Sequence, residues 1–165
     1  MKGDNMKHLS VDQSYNFCAY IVWDEGIIEQ FGVISSKQVV GDIYDRARYV
    51  AGEILAVCKL YEIVQIDIEG LAFGATGNVA RDLAGLLFSI INITKLALPS
   101  AQFTLHPPTS VKKLAVGTSK GVDKKQMIDA LPDSVRLAFE QAGYKKTTGL
   151  SDLADAYWIG CCSQQ

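Results

Sequence analysis

The sequence predicts an α/β fold, a mixed five-stranded sheet flanked by helices with an antiparallel meander at one side. Three observations predict it. Three short strand-like runs stand close together near the start, joined by brief turns. The apolar period then changes from two to that of a helix. Two further strand-like runs follow, each separated from the last by a helical stretch, which is the pattern of parallel pairing with crossovers.

The first run, His8-Leu9-Ser10-Val11-Asp12, ends in an acid, and Gln13 to Asn16 turn the chain into Phe17–Trp23. Asp24-Glu25-Gly26 is a second turn and leads to Ile27–Ser35. From about Gly41 to Leu60, the residues Ile43, Ala47, Val50, Ala51, Ile54, Val57 and Cys58 recur at helical spacing. Ile63 to Glu69 reads as a buried strand stopped by Gly70. After a Gly-rich link comes a helix from about Val79 to Ile91, apolar on more than one side, as expected of deep burial or of a shared homodimer face. Gln102–His106 is the last strand, closed by Pro107-Pro108, and Thr109-Ser110 offer a helix start. Further helices are expected from Asp123 to about Leu131, from Asp133 to about Ala142, and from Asp152 to about Gly160, the last capped by Ser151.

The 165 residues suit one domain, 1–165, with a sizeable core, and the 48% hydrophobic and 21% charged composition is that of a globular chain. The opening residues lack the apolar centre of a secretion signal, and the longest apolar run, near Leu83–Ile93, is broken by Ser89 and Asn92 and is too short for a bilayer. A soluble, cytoplasmic protein without a membrane partner is the expectation. Cys18, Cys58, Cys161 and Cys162 have no finger-type zinc spacing and are expected as reduced, mostly buried thiols. The net charge of −2 is no signature of a nucleic-acid binder, but charge is segregated. Between Lys112 and Lys146 stand Lys112, Lys113, Lys120, Lys124, Lys125, Arg136, Lys145 and Lys146 against Asp123, Asp129, Asp133 and Glu140.

Four acids form the chemical pattern. Asp12 ends the first strand and Glu69 the fourth, while Asp152 and Asp155 lie three apart on the last helix and so share a side. Carboxylates converging from separate elements are what Mg²⁺ binding requires, and paired ions of that kind hydrolyse phosphodiesters. Each acid alone has an ordinary reading as a turn, strand-end or helix-start residue. Their joint placement is the informative feature. Asp67 shares a strand face with Glu69 and ranks below the four as an accessory acid.

The segments Leu9–Ser14, Ile66–Glu69, Ser110–Gly117, Asp123–Met127 and Ser151–Ala156, in that order, resemble the RuvC family of Holliday junction resolvases, more nearly its short phage-type members. The resemblance implies an RNase H-like fold, a homodimer, and Mg²⁺- or Mn²⁺-dependent nicking of branched DNA with two ions per site. It implies that Asp12, Glu69, Asp152 and Asp155 are the metal-binding acids. Lys112 and Lys124 match the family's basic residues near the scissile phosphate and the DNA backbone, and Lys124 is counted with the catalytic set. Lys113, Lys120 and Lys125 extend the DNA-binding segment. Three departures stand out: the acidic net charge, Gln13-Ser14 where many members have Pro-Gly, and Ala72 where the family places an aromatic wedge, with Phe73 one position later as a substitute that stacks on bases. Alternatives are a debranching nuclease for flaps, forks, three-way junctions or RNA–DNA hybrids, and a non-catalytic dimeric branched-DNA-binding protein. A sugar-kinase or actin-like ATPase needs two such domains, and the chain is too short for them.

Overall fold

The computed structural model describes residues 7–72, 74 and 76–164. Five strands, β1 (His8–Asp12), β2 (Cys18–Asp24), β3 (Ile27–Ile34), β4 (Gln65–Glu69) and β5 (Gln102–His106), form one sheet in the order β3-β2-β1-β4-β5. The β1–β2 and β2–β3 pairs are antiparallel, and β1–β4 and β4–β5 are parallel. The mixed sheet with a meander at one side is therefore the one expected. The helices are α1 (Ile43–Leu60), α2 (Gly77–Ala97), α3 (Pro108–Val116), α4 (Lys124–Asp129), α5 (Asp133–Gln141) and α6 (Leu150–Cys162).

Alternation along the strands sorts two different layers. Leu9, Val11, Ile66 and Ile68 point to one face and pack with Val50, Ile54, Leu86, Leu87 and Ile90 from α1 and α2. On the other face Ala19, Ile21 and Trp23 meet Phe139 of α5 and Leu150, Leu153, Ala154 and Ala156 of α6. Val111, Met127 and Ile159 tie α3 and α4 to the far end of α6. Helix starts follow their chemistry. Asp42 accepts from the backbone of Tyr44 and Asp45 while Asp45 accepts from Asp42, a capping box, and Asp123 with Gln126 repeats it on α4.

Three elements differ in extent from expectation. The fourth strand begins at Gln65, because the Ile63 N–H is engaged by the Cys58 carbonyl in the turn that leaves α1. Helix α2 runs from Gly77 to Ala97, longer at both ends than the apolar run, since its outer turns carry polar and small residues that the pattern does not mark. It is not buried all round: Leu86, Leu87, Ile90 and Thr94 make one buried stripe, whereas Val79, Phe88 and Leu96 are exposed. At α6 the cap is Gly149, with a left-handed φ of 108°, and not Ser151, which lies buried inside the first turn. Among the described residues no helix is long and apolar enough to cross a membrane. All four cysteines are free, Cys18 and Cys58 buried and Cys161 and Cys162 half-buried.

Candidate active site

Parallel pairing brings together acids that stand 57 positions apart. Leu9 pairs with Ile66 and Val11 with Ile68, so Asp12 and Glu69 follow side by side at the carboxyl ends of β1 and β4. Gln13 fastens them: its Nε2 donates to the Glu69 carbonyl oxygen at 2.7 Å. Alternation turns Asp12 and Glu69 to the face that carries Ser10 and Asp67, which is the α6 face, since Trp23 Nε1 donates to Ser10 Oγ at 2.8 Å under that helix. Gly160 allows the close seat of α6, because a methyl group there would overlap the Trp23 indole. From α6, Asp152 and Asp155 present their charges to the same strand ends.

The electrostatics register this gathering. Burial raises the proton affinity of Asp12 well above the ordinary carboxylate range, and the charges of Asp155, Glu69 and Asp152 push it further, against Lys124. Asp155 is pushed up to about 7, first by burial and then by Glu69 and Asp152, with Lys124 and Lys112 opposing. Burial also raises Glu69, which Lys112 partly offsets, and Asp152, which Lys124 and hydrogen bonds partly offset. Among the described residues none of the four forms an ion pair. Lys112 and Lys124 thus act on the cluster through their fields. Lys113, Lys120 and Lys125 are exposed, Lys125 is paired with Asp129 on its own helix, and none of the three is among the charges that act on the acids. Phe73 lies outside the described residues.

These are hard oxygen donors, buried at Asp12 and half-buried at Glu69, Asp152 and Asp155, with no paired cation among the described residues, the kind of donor a divalent ion takes. Among the described residues, no three His, Cys, Asp or Glu side chains stand close enough together to enclose one as they are placed. The quartet is an open arrangement, not a closed cage. Asp12, Glu69, Asp152 and Asp155 are the residues that could hold an ion such as Mg²⁺, which takes one or two carboxylates and keeps waters.

Asp67 is fully buried one step below Glu69, and its Oδ1 lies 2.9 Å from His106 Nε2 on the neighbouring strand. Its other oxygen has no partner among the described residues. His8 stacks on Trp23 with centroids 5.6 Å apart, and burial lowers its proton affinity against the opposing charge of Asp67. Sequence reasoning missed His106 as the partner of Asp67 and Gln13 as the tether of Glu69. Register was the signal for the first, since His106 pairs with Glu69.

No protein-family model and no curated protein sequence matches the chain. Solved structures do. The Thermus thermophilus RuvC structure superposes with a TM-score of 0.68 at 13% identity, covering 96% of both chains. The same protein in complex with a Holliday junction substrate gives 0.64 at 15% identity, over 93% of this chain and 90% of that one. The yeast mitochondrial Holliday junction resolvase gives 0.69 at 14% identity, over 97% of this chain and 80% of that one. Superposing over nearly the whole chain, with a mixed five-stranded sheet flanked by helices, the fold is the RNase H-like one of the RuvC-type resolvases.

Proposed function

We propose that the chain is a divalent-metal-dependent endonuclease that hydrolyses phosphodiesters in branched DNA, four-way junctions foremost. The observation that supports this best is the meeting of Asp12, Glu69, Asp152 and Asp155, from two strands and a helix, with each acid's proton affinity raised and two lysine fields directed at them. The four acids are the residues that would hold Mg²⁺ or Mn²⁺, two ions per site in this reading. Bound ions of this kind lower the pKa of an attacking water and screen charge on the leaving oxygen. The chain's own part is distinct. The acid cluster holds mutually repelling carboxylates in a partly desolvated pocket, a cost that the sheet and α6 sustain. Lys112 and Lys124 supply positive potential where a phosphate must come close to those acids. Without such lysines four acids would repel DNA.

A homodimer is part of the proposal. Phe88 and Leu96 on α2 are 57% and 86% exposed, an apolar surface that a second copy would cover. The test is cleavage of a labelled substrate panel (four-way junction, three-way junction, fork, flap, RNA–DNA hybrid and plain duplex) with Mg²⁺, Mn²⁺ or chelator. Paired nicks in the four-way junction support the resolvase reading. Equal cutting of forks and flaps replaces it with a debranching nuclease, and metal-independent binding without cleavage replaces it with a binding protein.

A further inference from the structure

A cleft of about 510 Å³ opens between α4, α5 and the start of α6. Four cationic side chains, Lys125, Arg136, Lys145 and Lys146, line it with two acids, Asp129 and Glu140. One of those acids is already engaged. Lys125 bonds Asp129, and the charges of Arg136 and Lys146 also reach it. Among the described residues Lys145 and Lys146 have no ion-pair partner, although both are exposed. The lysine pair does not sit on a loose loop. The Lys145 N–H donates to Thr148 Oγ1 at 3.0 Å, and the Lys145 carbonyl accepts from Leu150 N at 3.0 Å, which fixes the link to the first turn of α6. Ile128 and Leu150 add apolar lining.

The cleft and the acids meet at the start of α6. Leu150 lines the cleft and Asp152, two residues further along, points to the other side of that helix, while Lys124, whose charge reaches Asp12, Asp152 and Asp155, adjoins Lys125 of the cleft. We infer that this cleft seats the sugar–phosphate backbone of the DNA strand as it runs on from the acid cluster, with phosphates on Arg136, Lys145 and Lys146 and sugars on Ile128 and Leu150. The inference rests on the nuclease reading for its substrate, and it adds a second basic site separate from Lys112 and Lys124. Cations above an apolar floor suit a sugar–phosphate chain, charged on one side and carbon-rich on the other. A free phosphate has no use for the floor.

The test is salt-dependent binding of a fluorescent four-way junction to the full-length protein in Ca²⁺, with Arg136→Ala/Lys145→Ala/Lys146→Ala beside wild type. Lys145→Ala/Lys146→Ala serves as a second variant that leaves the Arg136–Asp133 contact intact. Lys7→Ala/Lys59→Ala, before β1 and in the last turn of α1, controls for bulk charge. Loss of three phosphate contacts lowers the slope of log K against log[salt] by roughly 2 to 3, and loss of two by about 1.5. The bulk-charge control leaves the slope near that of wild type. Single methylphosphonate linkages then locate the contact: two or three neighbouring positions to one side of the cut weaken wild-type binding and cease to matter in the variants. Inorganic phosphate at millimolar concentration leaves the slope difference in place. Unchanged slopes, or interference patterns identical to wild type, overturn the cleft while leaving cleavage untouched. A wild-type protein that binds with the cleft-dependent slope but cuts nothing retains the cleft and overturns the nuclease reading. A protein that binds no DNA overturns both.

Discussion

Gln13 and Glu69 are joined by a 2.7 Å hydrogen bond from the Gln13 side chain to the Glu69 backbone carbonyl, across the ends of two parallel strands. This bond ties the loop leaving β1 to the last residue of β4, and so holds two acids of the cluster in one frame. Gln13 is itself buried. In Gln13→Ala the carbonyl loses its partner, and stability falls by about 1–2 kcal/mol. Cleavage is expected to fall more than binding, by about 10- to 100-fold, because a small displacement of a reacting group is expensive in rate. Urea denaturation and single-turnover cleavage measure the two effects separately.

The acids themselves are tested by isosteric neutralisation. Asp12→Asn and Asp155→Asn are expected to lower cleavage by at least about 10²-fold while junction binding holds or tightens, since each removes a negative charge that faces phosphate. Gel-shift titrations beside cleavage assays check this. Retained cutting by Asp12→Asn removes Asp12 from the site. Chelation of divalent ions should abolish cutting by wild type and leave the fold intact by circular dichroism.

Burial and the neighbouring acids push Asp155 up to about 7, far above an unfolded carboxyl near about 4. The folded chain therefore holds a proton between those values that the unfolded chain has released. The sign follows from linkage: the stabilising contribution is fully present below about pH 4, is lost as pH rises towards 7, and is flat above. In chelator, the Tm is expected to rise as pH drops from 8 to 5. In Asp155→Asn that slope shrinks and the protein is more stable at neutral pH. Divalent ions should bind more tightly as pH rises through 7 and release protons on binding, which calorimetry in two buffers measures. A Tm that is indifferent to pH in both proteins rules this account out.

Gly160 is the point where α6 lies against Trp23. Gly160→Ala forces either the indole or the helix to move, at a cost on the order of 1–3 kcal/mol. Because the same helix carries Asp152 and Asp155, cleavage should decline even at temperatures where the variant is folded. Thermal melts and cleavage rates at a low temperature distinguish the two effects.

Much of this architecture was legible because it is written in local patterns. The alternation of Leu9 and Val11 with Ser10 and Asp12 and the helical spacing of Ala47, Val50, Ile54 and Cys58 each carry their own signal. The acids were legible as strand-end and helix-face positions. What stayed hidden depends on contacts between elements. Nothing local to Asp67 announces His106, 39 positions away, and nothing in Ser151 announces that Gly149 starts the helix. Charge alone does not separate Lys120 and Lys125 from Lys124, which only the family resemblance sets apart, yet on the folded chain Lys124 alone of the three directs its field at the acids. A linear charge count has no means of separating them.

The order of the elements has a temporal meaning for a chain made from its amino end. Strands β1 and β4 can align once the chain has passed residue 69, but half of the acid cluster arrives only with α6, beyond residue 150. Docking of that helix is the non-local step on which the whole constellation waits. In the nuclease proposed above, a polypeptide stalled on the ribosome short of α6 lacks two of the four acids and so cannot cut. On that reading, a cell making the protein would carry no half-finished copies able to cut its chromosome.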